Sequence, residues 1–207
     1  MGLFKRFIGQ TRKPEGFFGK LMLNAMNQGH AALSDWGLSH IEGLSPLVIA
    51  ELGCGGGRNV RELLRRYPQS KLYAVDYSAL AVCRTRAYNK PDIVKGRCRV
   101  LKASVQSLPL AASRFDFATA FETVYFWPDP AECFAEVYRI LKCGGSFLIC
   151  NESDGKDAEG LRYERIIDGM HCYTAEELET MLRTAGFSEV QAFRHESKPW
   201  LTVLAKK

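Results

Sequence analysis

The chain has 207 residues, of which 46% are hydrophobic and 25% charged, and a formal net charge of +5. This length suggests one domain with ample material for a core, and no apolar run is long enough to span a bilayer. Seven cysteines lie between Cys54 and Cys172 without a C-x-x-C pair, so zinc and redox motifs are unsupported and no metal is expected.

The N-terminal MGLFKRFIGQTRK is interrupted by Lys5, Arg6 and Gln10 and lacks the apolar region and cleavage site of a secretory signal. Arg6 stands where a myristoylation start carries Ser or Thr. Unpaired thiols and this N-terminus lead us to expect a cytoplasmic protein. Residues Pro14 to Gly43 read as helical, with Leu21, Met22, Ala25 and Met26 and then Leu33, Trp36, Leu38 and Ile41 on apolar faces, and Gly29 as a break.

Strands and helices then alternate. LVIAEL (47–52) reads as a buried strand, and ELGCGGGRNV turns from it into a helix over 57–67 that Pro68 stops. KLYAVD (71–76) is a second strand, and Ser78 caps a helix reaching Asn89. RCRVLKA (97–103) and FDFATAF (115–121) are the third and fourth strands. A helix follows over 130–141, then a turn KCGG and a fifth strand SFLICNE (146–152). Thr174 and Glu177 have capping-box spacing, and the helix they start ends at Gly186. FSEVQAFRH and WLTVLAK read as two closing strands. The alternation predicts an α/β fold with a doubly wound, Rossmann-like seven-stranded sheet, mostly parallel with an antiparallel last strand, plus an N-terminal helical cover. We divide the chain into a cover over 1–45 and a ligand-binding domain over 46–207.

In such sheets ligands bind beyond the carboxyl ends of the strands, near the point where strand order reverses. The glycine loop lies there. A dinucleotide loop reads G-x-G-x-x-G; Gly53 and Gly55 fit, but Arg58 occupies the third position and the pattern closes at Gly57 instead. Glu51 precedes the loop. A carboxylate there would repel a pyrophosphate and could pair with an ammonium group. Asp76 ends the second strand, where it can accept both hydroxyl protons of a ribose, a feature shared with nicotinamide sites.

Several of these segments, in this order, resemble the class I S-adenosylmethionine (SAM)-dependent methyltransferases, closest to the small-molecule branch that includes the ubiquinone/menaquinone-biosynthesis type. The resemblance runs from Leu47 to Lys207 through AELGCGGGRN, AVDYS, ASVQSLPLAASRFDFATAF, EVYRILKCGGSFLI and YTAEELETMLRTAGF. It implies that SAM is the cofactor and S-adenosylhomocysteine the product. Gly53, Cys54, Gly55 and Gly57 would let the backbone approach the methionine and ribose parts, with Glu51 near the amino-acid end. Asp76 would hold the ribose hydroxyls, Tyr77 would lie beside the adenine, Ser104 and Val105 would read its edge, and Phe121 would face the cofactor. Ser104 departs from the Asp usual in the family, which removes a charge from the adenine contact.

The reaction so implied is in-line methyl transfer, in which the cofactor brings the activated group and the protein supplies position and electrostatics. A base is needed only for a poorly nucleophilic acceptor. Glu122, Tyr125, His30 and His171 are the candidates, each with a plain structural alternative, so the catalytic residue is left unknown. Tyr125, Phe126 and Trp127 either line a planar or apolar acceptor site or pack the segment after the fourth strand, and residues 151–173 join the cover. There is no N-P-P-Y or D-P-P-Y after the fourth strand, no Pro-Cys pair, and no acidic cluster at ASVQS for a catechol-type magnesium site.

The expected partner is therefore a small-molecule methyl acceptor. An RNA acceptor is the alternative, because Arg84, Arg86, Lys90, Lys95, Arg97, Arg99 and Lys102 cluster, although a solvated helix face and sheet edge explains them more simply. A non-catalytic SAM-binding module is the third reading. The oligomeric state is not legible.

Overall fold

The computed structural model describes residues 31–207. His30 and most of the helical stretch expected from Pro14, with its break at Gly29, lie outside the described residues. The first described helix, α1 (Ala31–Ser39), leads into β1 (Val48–Leu52), α2 (Arg58–Arg66), β2 (Lys71–Asp76), α3 (Ala79–Tyr88), α4 (Lys90–Val94) and β3 (Cys98–Lys102). There follow β4 (Phe115–Phe121), a 3-10 turn (Val124–Phe126), α5 (Pro130–Ile140), β5 (Leu141–Asn151), α6 (Ala158–Ile166), α7 (Ala175–Thr184), β6 (Glu189–Arg194) and β7 (Leu201–Lys206).

The strands form one seven-stranded sheet in the order β3-β2-β1-β4-β5-β7-β6. All pairings are parallel except those of β7 with β5 and β6. The expected sheet class is therefore what the chain adopts. Strand order reverses between β1 and β4, and the carboxyl ends of these two central strands carry the glycine loop and Glu122.

Each sheet face has its own apolar layer. One layer joins Ala50, Leu52, Ala118, Ala120 and Phe147 to Phe134 and Val137 of α5 and Leu178 and Leu182 of α7. The other joins Ile49, Leu72, Phe117, Phe121 and Leu148 to Leu33 and Leu38 of α1 and to Val60, Leu63 and Leu64 of α2. Adjacent residues such as Ile49 and Ala50 fall on opposite faces, as the two-residue period of a strand requires. Gly37 of α1 seats closely on Cys150 and Thr202, where a Cβ would come within 2.6 Å of the Cys150 sulfur.

Three local features differ from expectation. The strand expected to begin at Ser146 starts at Leu141, which already pairs with Phe115 before the register jumps to Ser146 beside Phe117. Residues 142–145 bulge between these two pairings, with Gly144 at φ +76°. The short α4 and the helix α6 were not anticipated. In α6 only Gly160 is buried, so the segment carries no apolar stripe to read. The caps were legible: Ser78 accepts from the Ala81 N–H, and Thr174 and Glu177 form the full capping box.

Candidate functional site

The sequence ELGCGGG places a carboxylate at the end of β1 and then a chain that must turn at once into α2. Gly53 and Gly57 adopt φ +86° and +85°, in the left-handed region where a Cβ is costly. At Gly53 a Cβ would also collide with the Thr123 side chain. At Gly57 it would come within 2.7 Å of the Asn89 amide and 2.9 Å of the Thr85 backbone.

The loop's own polar groups are largely spent on the protein. The N–H groups of Gly53 and Cys54 both donate to the Val75 carbonyl, at 2.8 and 3.0 Å, and that of Gly57 donates to Cys54 at 2.9 Å. The Gly55 N–H donates to Asp76 Oδ2 at 2.9 Å. From α3, Thr85 Oγ1 donates to the Gly55 carbonyl and Asn89 Nδ2 to the Gly57 carbonyl. A phosphate-binding loop leaves its N–H groups pointing at the anion; those of Gly53, Cys54, Gly55 and Gly57 are instead turned inward.

Two carboxylates stand beneath this loop. Glu51 is almost completely buried and receives the Thr119 hydroxyl from β4. Burial, opposed by that hydrogen bond and reinforced by the charge of Asp76, pushes its pKa up to about 8. Asp76 is also buried, and burial raises it above the ordinary carboxylate range despite the Ser78 and Gly55 N–H groups that favour its charged form. Asp76 takes the backbone N–H groups of Gly55, Ser78 and Tyr77, and with roughly four lone-pair sites a carboxylate retains capacity for a further donor. The acceptor set thus fits a ligand that brings hydroxyl and ammonium groups and no phosphate, which is the chemistry of SAM.

Around this centre the structure places the remaining residues named from sequence. Tyr77 is 42% exposed next to Asp76, and Ser104 is exposed with its Oγ accepting from the Gln106 N–H at 3.3 Å. Val105 is half-buried, whereas Cys54 and Phe121 are enclosed in the apolar layer under the loop. Burial drives the Cys54 thiol well above its usual range, so it is a neutral packing group.

At the ends of β4 and β5 a second polar group forms. Glu122 has φ +60°, and its N–H donates to the Cys150 carbonyl at 2.9 Å. Its Oε1 accepts the Tyr125 hydroxyl at 3.2 Å and the Glu152 N–H. The Tyr125 hydroxyl in turn accepts the Ser153 N–H at 2.9 Å. Trp127 belongs to the core, in ring contact with Phe134 and Phe147.

His171 does not join this group. Its Nδ1 lies 3.3 Å from Glu164, its Nε2 lies 4.0 Å from Glu177, and its ring meets Tyr173 edge-on at the surface. Its backbone N–H nevertheless donates to the Tyr125 carbonyl at 2.9 Å, so segment 167–173 crosses over the 3-10 turn.

Thr119, Thr123, Thr85 and Asn89 complete the site and were not anticipated. Thr85 and Asn89 share an i, i+4 helix face whose polarity was the available signal. Thr119 and Thr123 contact residues 68 and 71 positions away and carry none. Asn151, fully buried at the end of β5, has no partner for either amide atom among the described residues. Of the basic cluster, Arg86 is committed to the Val100 carbonyl, and Arg97 to Asp92 and the carbonyls of Leu64 and Tyr67.

A glycine turn at the switch point of such a sheet, with an acidic residue near the carboxyl end of each of the first two strands, stands where open α/β sheets bind their ligands. Residues 50–149 match the family model described as a methyltransferase domain. The chain is 24% identical over 173 residues to the uncharacterized methyltransferase YdaC of Bacillus subtilis, covering 84% of this chain and 89% of that protein. It is 29% identical over 108 residues to cycloartenol-C-24-methyltransferase 1 of rice, Oryza sativa, covering 52% of this chain but only 31% of the plant protein. Human N-acetylserotonin methyltransferase in complex with SAM superposes with a TM-score of 0.74 at 16% identity, over 90% of this chain and 55% of that one, which shows a shared fold. Residues 50–149 therefore carry a methyltransferase domain, on the fold shared with the SAM-bound human enzyme. No helix among the described residues is long and apolar enough to cross a membrane.

Proposed function

We propose that this chain binds SAM on the Gly53–Gly57 loop and transfers its methyl group to a small-molecule acceptor. The observation that carries the reading is the Gly55–Asp76 hydrogen bond, which holds the loop closed on a carboxylate with its N–H groups turned inward. Asp76 takes the ribose hydroxyls, Glu51 answers the amino-acid end, and the backbone of Gly53, Cys54 and Gly55 passes close to the ligand. Tyr77 offers a ring face to the adenine, and Ser104 and Val105 meet its edge. When bound, the cofactor supplies an activated methyl on a positive sulfur. The protein's part is to orient acceptor and methyl in line and to exclude water.

The cover includes residues 151–173, whose crossing over Tyr125 supports the reading. The rice relative's name, a sterol-type methyltransferase, supports a small organic acceptor, as does the commitment of Arg86 and Arg97 to internal carbonyls.

Calorimetric titration with S-adenosylhomocysteine, with NAD as control, tests the cofactor. Binding of the first alone, lost in Asp76→Ala, is expected. Binding of NAD in place of S-adenosylhomocysteine would overturn the assignment.

A further inference from the structure

We propose that Glu122 is the carboxylate on the acceptor side of the transferred methyl: it faces the cofactor's positive end and takes the acceptor's proton as that charge disappears. This rests on the methyl-transfer reading above and narrows the acceptor to one whose reacting atom carries a proton, such as a hydroxyl or an acidic carbon.

The placement comes from the turn after β4. Thr123 touches Gly53 and donates to the Leu52 carbonyl at 3.0 Å, so residue 123 faces the cofactor loop on the β1 side. The Glu122 side chain goes the other way, over the end of β5, where the Glu152 N–H and Tyr125 hydroxyl both hold Oε1. Oε2 receives no hydrogen bond among the described residues. Two donors on one oxygen fix the carboxyl, and the other oxygen is left for a ligand. The backbone at φ +60° costs a non-glycine residue on the order of 1–3 kcal/mol, and such strain clusters at functional positions.

The titratable groups around Glu122 are Glu152, Tyr125, Cys150 and Cys172. Burial first, and then the charge of Glu152, raise Glu122 to about 8. A base is most effective when its pKa lies near the working pH.

The step balances without a further reactant. The acceptor atom's electron pair forms the new bond to the methyl carbon. The carbon–sulfur bond breaks with its pair left on sulfur, and the acceptor's proton passes to Glu122 Oε2. A sulfonium and a carboxylate are replaced by a thioether and a carboxylic acid, and the proton later leaves to solvent.

SAM and S-adenosylhomocysteine differ by this methyl and one charge, so proton linkage reads the contact without any acceptor. Calorimetry at about pH 7 in buffers of different ionisation enthalpy should find that SAM binding releases close to one proton more than S-adenosylhomocysteine binding. The SAM to S-adenosylhomocysteine affinity ratio should rise by about tenfold per pH unit as pH increases toward the free-protein midpoint. In Glu122→Gln the proton difference should vanish and the ratio should be flat with pH. Tyr125→Phe, which removes a donor to the carboxylate but not the group itself, should keep the difference with its midpoint moved upward.

Equal proton counts for the two compounds in the wild-type protein, or a difference that survives in Glu122→Gln, would overturn the proposal while leaving the cofactor assignment intact. If neither compound binds, the methyl-transfer reading falls and this one with it.

Discussion

Gly53 and Thr123 lie 70 positions apart and meet face to face: the glycine at φ +86° leaves just the space that the threonine side chain fills at the end of β4. The loop is therefore braced from β4 as well as from α3. Gly53→Ala combines a left-handed alanine, costing about 1–2 kcal/mol, with a steric collision. A destabilisation of about 2–4 kcal/mol in urea unfolding is expected. Thr123→Ser removes the colliding methyl and keeps the hydroxyl on Leu52. In the double variant it should restore only part of the loss, because the backbone strain remains.

Asp76 has a structural task beside its proposed contact with the ribose. Asp76→Ala leaves the Gly55 and Ser78 N–H groups without their acceptor, and charge-assisted bonds of this kind are worth about 1.5–3 kcal/mol each. Relief of a buried charge offsets part of that. We expect a net destabilisation of about 1–3 kcal/mol by thermal unfolding together with loss of S-adenosylhomocysteine binding.

The Gly55–Asp76 bond also shows how much of the site was legible locally. A strand followed by glycines, and a second strand ending in Asp, can be found from hydrophobic runs and turn residues because each signal lies within ten positions. Glu51–Thr119 and Glu122–Glu152 could not be found that way. They depend on β4 lying between β1 and β5, which no local pattern states.

Stability should fall as pH rises through the neutral range. The folded-state pKa of Glu51 is raised from 4.5 to about 8, and that of Glu122 likewise. Between these values the folded protein holds a proton that the unfolded chain has lost. The stabilisation is complete below about pH 4.5 and is lost as pH rises through about 8, with a slope of up to about 1.4 kcal/mol per pH unit for each group. Glu51→Gln, which keeps an acceptor for the Thr119 hydroxyl, should reduce the slope of melting temperature against pH between about 5 and 8 by about half, the Glu122 contribution remaining. A slope unchanged in that variant would mean that Glu51 is ionised in the folded protein.

Asn151 buries an amide with neither atom satisfied among the described residues. Such a group costs about 1–3 kcal/mol, and an apolar residue of similar volume removes that cost. Asn151→Leu should therefore raise stability by about 1 kcal/mol or more in chemical denaturation. A loss instead would show that the amide is hydrogen-bonded in solution.

By itself the sequence determined the elements and their caps. Strand and helix periods, Ser78, the Thr174–Glu177 box and the glycine loop are all short-range patterns, and the two caps and the loop form where they were read. The helix α6 escaped because it buries almost nothing, and the start of β5 because pairing with Phe115 draws Leu141 into the sheet ahead of the bulge. The strand order decided the chemistry. By setting β4 between β1 and β5 it buries Glu51 against Thr119, sends Thr123 toward the glycine loop, and turns Glu122 toward Tyr125 and Glu152. The pKa of a carboxyl depends on its solvent and its neighbours in space, and only the tertiary structure supplies those.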